Sequence, residues 1–279
     1  MNDRMWSGQA EDYPADAIEM FEEGLPVRMI ATDRSAFVTC TADDEMESVV
    51  ARNEVGYDYF PVVRHTTAKR DEIIGLVEAV PLADGSWPSG RVRDRMERLS
   101  ERNLIGSDAS LLEFVRGADQ NGCRLVVSGA AISGLVTLSD LQRLPVRAAL
   151  FAIITHLEMT MAKTIRHEFG GEKSWTEQLS AERRSKLLEL IAKAKLGDAF
   201  VDPLLFTQFA DKVTIIKKSV LFGAEKATFK SDMARIEALR NEVAHSNNYA
   251  ATRDDAKFVC QTVRQMDRWI ACLASRCAG

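Results

Sequence analysis

The segment Leu239-Arg240-Asn241-Glu242-Val243-Ala244-His245-Ser246 gathers three side chains that can handle a phosphodiester. Asn241 and His245 are four residues apart, so on a helix they share a face. Arg240 stands beside them with a side chain long enough to reach the same pocket. An imidazole that titrates near neutrality can take or give a proton at a ribose 2′-hydroxyl. A guanidinium fork can neutralise the charge that develops on a pentavalent phosphorane. Asn241 can orient the imidazole or hold a phosphate oxygen. Together they could cleave RNA without a metal, leaving a 2′,3′-cyclic phosphate and a 5′-hydroxyl. The run Ser246-Asn247-Asn248 should break the helix just past His245, where the helix dipole favours an imidazolium. The competing reading is an Arg and a His that only cap surface carbonyls.

Glu158, in the run His156-Leu157-Glu158-Met159-Thr160, is a candidate to face this segment and orient Arg240. On a wet helix face it would instead pair with a Lys or Arg at helical spacing. His156 and His167 read as packing or surface residues, and Lys217 and Lys218 as phosphate contacts or a solvated face. Five scattered cysteines without a C-x-x-C pair, and only four histidines, argue against a disulfide framework and a zinc site. The net charge of −5 removes overall basicity as a reason to expect nucleic acid, but leaves room for a local basic patch.

These residues need a helical scaffold, and the second half of the chain supplies one. Val146 to Phe169 has Leu150, Ile153, Ile154, Leu157 and Met161 at helical spacing. Ser180 caps a second helix through Leu187, Leu188 and Ile191, with Gly197 suited to its end. Asp202-Pro203 is expected to open a third, through Phe206, Phe209, Val213, Ile216 and Val220. A fourth runs from Asp232 to His245, and Thr252 with Asp255 should cap the last. Five helices without strands predict a bundle.

The first half reads differently. A helical stretch from Asp43 to Val55 precedes two strand-like runs, Phe60–Val63 and Ile73–Val77. The order recurs with helical Ser110–Gly117, strands Cys123–Val127 and Ala131–Leu138, and a short helix begun by Ser139-Asp140. A helix–strand–turn–strand unit thus repeats after about sixty residues, with Asp84–Gly90 punctuating the join.

Phe60-Pro61-Val62-Val63 resembles a strand of the CBS repeat, and Gly134-Leu135-Val136-Thr137-Leu138-Ser139-Asp140 resembles its closing G-h-h-T-x-x-D element. The first copy ends Gly75-Leu76-Val77-Glu78-Ala79-Val80 and lacks the Thr and Asp. The resemblance implies a tandem module that binds an adenine nucleotide, Asp140 at ribose hydroxyls and Thr137 at phosphate. Backbone near Phe60 and Val62, and the segment from Ile30 to Asp33, would meet the base. Read as residues alone, Thr137 and Ser139-Asp140 cap the following helix.

The Arg240–His245 run resembles the R-x(4–6)-H motif of HEPN domains, in both its polar residue after the Arg and its place before the last long helix. That resemblance implies a homodimer whose paired motifs build one RNA-cleaving site, with no cofactor needed for the chemistry. The expected architecture is a segment 1–24, an α+β tandem CBS-like sensor over 25–145, and an all-α HEPN-like bundle over 146–279. The expected function is a metal-independent endoribonuclease under nucleotide control, in a toxin or phage-defence setting. The alternative is a non-catalytic regulatory module that senses adenine nucleotides and dimerises or binds RNA. Nucleotidyl transfer is disfavoured, because no Gly-Ser followed by paired aspartates is present. No uninterrupted apolar run approaches a bilayer span and the N-terminus lacks an apolar signal core, so the expected location is the cytoplasm, without a membrane.

Overall fold

A computed structural model describes residues 17–67, 71–196, 202–219, 225–245 and 247–277. Gly197, Val220 and Ser246, expected at or near helix ends, lie outside the described residues. The chain forms two compact units, one being Leu25–Asp140 and the other combining the described residues 17–24 with 141–277.

The unit Leu25–Asp140 holds two four-stranded sheets. Each is built on a hairpin, β3 (Tyr59–Arg64) with β4 (Glu72–Glu78), and β7 (Cys123–Ser128) with β8 (Ala131–Thr137). The hairpins share a register shift at equivalent places, Val62/Val63 and Val126/Val127. A short strand lies parallel to the first strand of each hairpin and leads into a helix. These are β2 (Cys40–Thr41) with α2 (Met46–Ala51), and β6 (Leu104–Gly106) with α4 (Leu111–Gly117).

The remaining edge of each sheet comes from the chain leading into the other copy. β1 (Thr32–Asp33) pairs antiparallel with β8, and β5 (Glu97–Arg98) pairs antiparallel with β4. The isolated bridges Pro26–Ser110 and Glu45–Arg91 repeat the exchange, with Pro26 and Glu45 each 65 residues from their counterparts Arg91 and Ser110. Gly75 and Gly134 make the edge pairing possible. A Cβ on Gly134 would lie 2.7 Å from the carbonyl oxygen of Thr32, and one on Gly75 would run into that of Glu97.

Alternation along β3 assigns its two faces. Phe60 and Val62 join Met46, Val49 and, from the short helix α3 (Val92–Arg95), Val92 in one core, whereas Val63 joins Ile73 and Leu76 against Cys123 and Leu125 of the second hairpin. The expected helix 43–55 is shorter than its pattern. Asp44 turns back to accept from Thr41, and Asn53 closes a turn on Tyr57.

In the helical unit α5 (Leu144–Phe169) is central, with Pro145 in its first turn. It packs against α1 (Ala17–Gly24), α8 (Phe209–Lys218), α9 (Lys226–Ala244) and α10 (Arg253–Cys277). By length and composition α5 is the one described helix apolar enough to cross a membrane. Yet Val146, Leu150, Ile153, Ile154, Leu157 and Met161 are all buried in the bundle, and Arg147, Glu158, Lys163 and Arg166 interrupt it.

Three expectations need correction. A short helix, α6 (Glu172–Thr176), precedes α7 (Ala181–Leu196) and had no expected counterpart. Asp202-Pro203 opens only a 3-10 turn, Pro203–Phe206, in which the Asp202 side chain accepts from Leu204 N–H. Thr207 closes that turn by donating to the Leu204 carbonyl, and α8 begins afresh with Gln208 N–H donating to Asp211. Finally, α9 begins at Lys226 rather than Asp232. Asp232 resembles a cap in sequence, but is a buried acceptor within the helix for Trp269 Nε1 at 2.9 Å and for Arg268. The Thr252–Asp255 cap forms in both directions, each residue's N–H donating to the other's side chain.

Candidate functional site

The inward stripe of α9, with Phe229, Met233, Ile236, Leu239 and Val243, is buried. Phe229 meets Trp269 of α10 edge-on at 5.0 Å, which fixes the rotation of α9. That rotation turns Arg240 toward α5, where its Nε donates to Oε1 of Glu158 at 2.9 Å. The other oxygen, Oε2, lies 3.6 Å from Nζ of Lys212 on α8. One carboxylate therefore sits between two cations from two other helices.

The three members differ in access to water. The Lys212 side chain is 7% exposed, Glu158 22% and Arg240 40%. Burial pushes the Lys212 ammonium below its ordinary range, while Glu158 beside it pulls the other way. Its ammonium also donates to the Thr207 carbonyl at 2.9 Å. The rotation of α8 is set in turn by Asp211 at its start, which Arg183 of α7 grips through Nε and a terminal nitrogen.

Asn241 and His245 are exposed. His245 is the C-cap residue of α9, and its N–H donates to the Asn241 carbonyl at 3.0 Å. On a regular helix Arg240 and His245 are about 140° apart around the axis. A single chain thus brings Arg240 to Glu158 and presents Asn241 and His245 along an adjoining face. His156 is half-buried, and its burial lowers the imidazole's affinity for a proton, with Glu22 opposing. His167 faces Glu168 at 3.5 Å, and Lys218 donates to the Gln178 carbonyl.

The end of the motif is held by a residue that the sequence reading passed over. Arg147 of α5 donates to the carbonyls of Val243 at 2.8 Å and Asn247 at 2.7 Å, with a longer bond to Glu242 at 3.3 Å. Its guanidinium lies 4.8 Å from the centre of the Tyr249 ring. Beside this clamp Phe21, Leu144, Ala148, Phe151, Val243 and Ala244 line an open apolar groove. Leu144 is 75% exposed and Phe151 58%.

Lys212 was also missed, although a signal existed. It lies on the same stripe as Phe209, Val213 and Ile216, and a Lys on an apolar stripe needs a buried partner. A second signal lies in how the charge is divided. Residues 141–279 carry 22 Lys+Arg against 16 Asp+Glu, and residues 1–140 carry 14 against 25. The acidic total conceals a basic surplus in residues 141–279, half of it offset by Glu19, Glu22 and Glu23 of α1 in the same unit.

In the other unit, Asp140 is buried and faces its own chain. Its Oδ2 accepts from Thr137 N–H at 2.7 Å and from Thr137 Oγ1 at 3.2 Å, while Thr137 Oγ1 meets Ser139 Oγ at 2.7 Å. These bonds start the 3-10 turn Leu138–Gln142, as a capping carboxylate does. Ile30, Phe60 and Val62 are fully buried, and Asp33 accepts from Ser35 N–H and Oγ. Among the described residues, no group of three or more His, Cys, Asp or Glu side chains could hold a metal.

A comparison with protein-family models finds no match, and one with curated proteins finds none either. Solved structures similar to part of this chain do exist. The CBS domain of a bacterial CNNM/CorC family Mg2+ transporter in complex with ATP is 20% identical, covering 44% of this chain and 89% of its own, at a TM-score of 0.34. A hemolysin-like, CBS-containing protein of Oenococcus oeni is 15% identical, with coverages of 44% and 91% and a TM-score of 0.33. The CBS domains of a transcriptional regulator from Streptococcus pneumoniae are 20% identical, with coverages of 42% and 96% and a TM-score of 0.32. Likenesses this distant carry no function across.

Proposed function

We propose that the helical unit is a metal-independent endoribonuclease of the HEPN type, and that the CBS-like unit places it under adenine-nucleotide control. The observation that carries the proposal is the Glu158–Arg240 pair. A carboxylate from the central helix orients the guanidinium of the motif, next to an exposed Asn241 and His245 at a helix end. In this reading Arg240 neutralises charge on the scissile phosphate, His245 moves the proton of the 2′-hydroxyl, and Asn241 orients the imidazole or a phosphate oxygen. The basic surplus of residues 141–279 suits an RNA substrate.

Because Arg240 and His245 diverge around α9, the reading requires a homodimer in which two motifs complete one site. The exposed Leu144 and Phe151 beside the motif supply an apolar face for such pairing. The nucleotide would bind at the Thr137–Asp140 turn and alter the pairing, in the cytoplasm, as part of a toxin or phage-defence response.

A second reading rests on the same pair. With Arg240 already engaged by Glu158 in one chain, the bundle could serve only to bind RNA or to dimerise, under a CBS-like sensor. Inducible expression in a bacterial host separates the two. The first reading expects growth arrest with cellular RNA bearing cyclic-phosphate ends, both abolished by Arg240→Ala or His245→Ala. Intact RNA on expression of the folded wild type, with adenine nucleotide present, supports the second.

A further inference from the structure

We infer that Lys212 is a positioning residue, which anchors the carboxylate of Glu158 so that Glu158 in turn fixes the guanidinium of Arg240. The inference rests on the reading of Arg240 as part of an RNA-cleaving site and deepens it by adding a third member.

Three observations support it. Lys212 is buried on the inward face of α8, where an ammonium is costly unless it is compensated. Its compensation is divided between a hydrogen bond to the Thr207 carbonyl at 2.9 Å and an ion pair with Oε2 of Glu158 at 3.6 Å. Oε1 of the same carboxylate is left for Arg240 Nε at 2.9 Å. The Thr207 carbonyl fixes where the ammonium sits, and the ammonium fixes which oxygen of Glu158 faces which cation. Arg240 is 40% exposed and has a flexible stem, so its direction depends on that carboxylate. Arg183, through Asp211, sets the start of α8 and so the height of Lys212.

A solely structural role for Lys212 would be to brace the turn at Thr207. Its loss would then lower stability and leave Arg240 unmoved. The test therefore follows Arg240 itself in full-length Lys212→Met and Lys212→Arg, with folding checked by circular dichroism. One readout is the solvent exchange rate of the Arg240 Nε proton by NMR, its signal assigned by its absence in Arg240→Lys. The other is the separation of kcat from KM on a short RNA.

The expected result for Lys212→Met is Nε proton exchange at least about tenfold faster, with kcat about tenfold lower and KM little changed. Lys212→Arg, which keeps the charge, should recover part of both. Unchanged exchange and unchanged kcat in a folded Lys212→Met would overturn the inference. If the wild type cleaves no RNA, the nuclease reading fails, and the exchange rate alone still decides whether Lys212 positions Arg240. If Lys212→Met does not fold, Lys212→Arg decides: its guanidinium keeps the charge in a different shape, so Arg240 exchange should be faster than in the wild type though short of about tenfold, and a wild-type rate would overturn the inference.

Discussion

Arg240 and Glu158, 82 residues apart in sequence, meet through a 2.9 Å hydrogen bond from Nε to Oε1. The bond joins the helix that carries the motif to the helix at the centre of the bundle. Glu158 therefore holds Arg240 in place and also compensates the buried Lys212. Replacing it with Gln keeps its shape and removes its charge. Glu158→Gln should cost about 1–3 kcal/mol in urea unfolding, because a buried cation loses its counter-charge. RNA cleavage should fall at least about tenfold. Unaltered stability would show that the carboxylate contributes nothing to Lys212.

Arg147 should matter to the far end of the motif. Arg147→Met keeps an apolar stem over Tyr249 but removes the donors that hold the carbonyls of Val243 and Asn247. A loss of about 1–2 kcal/mol is expected. Hydrogen exchange should quicken at His245 and Asn247, whose amides donate back into α9, while α10 is unaffected. Equal exchange in both proteins would remove Arg147 from this role.

The strand exchange makes a paired prediction. Gly75→Ala and Gly134→Ala each place a methyl against the carbonyl of the borrowed edge strand. Each should destabilise the unit by about 1–3 kcal/mol through the backbone shift required. Both should release the short edge strand, β5 for Gly75 and β1 for Gly134, as seen in amide exchange. A protein that tolerates both without loss would contradict the pairing.

Tyr249 sets an alkaline limit. Its hydroxyl donates to the Leu141 carbonyl at 2.6 Å, and burial pushes its pKa from 10.0 to about 12, with Arg147 opposing. A folded value above the unfolded one means that the fold favours the neutral phenol. That contribution is complete below pH 10 and is lost as the pH rises through about 12. The stability difference between wild type and Tyr249→Phe should therefore narrow across this window, measured by urea unfolding at successive pH values. A constant difference would contradict the assignment.

How much could be read in the sequence depended on the length of each signal. The hairpins were legible because Phe60–Val63 and Cys123–Val127 are long enough to show a strand pattern. β1, β2, β5 and β6 were not, since strands of two or three residues show no alternation. They owe their pairing to the repeat, through contacts far away in sequence. The apolar stripes located α5 and α7, and the Thr252–Asp255 cap located α10, but the start of α9 was misplaced because a buried Asp232 looks like a cap until Trp269 is seen beside it. At the candidate site the motif itself was visible, and Glu158 could be named as a facing carboxylate. Lys212 and Arg147 were hidden because Glu158, and the carbonyls of Val243 and Asn247, come to them from far away in sequence, and only their places on α8 and α5 hinted at them.

The most direct measurement is RNA cleavage in EDTA by the purified wild type and by His245→Ala, at equal concentration of folded protein. Cleavage by the wild type alone, leaving 2′,3′-cyclic phosphate ends, is the predicted result. Equal cleavage by both proteins, or none by the wild type with adenine nucleotides present, would contradict the nuclease account.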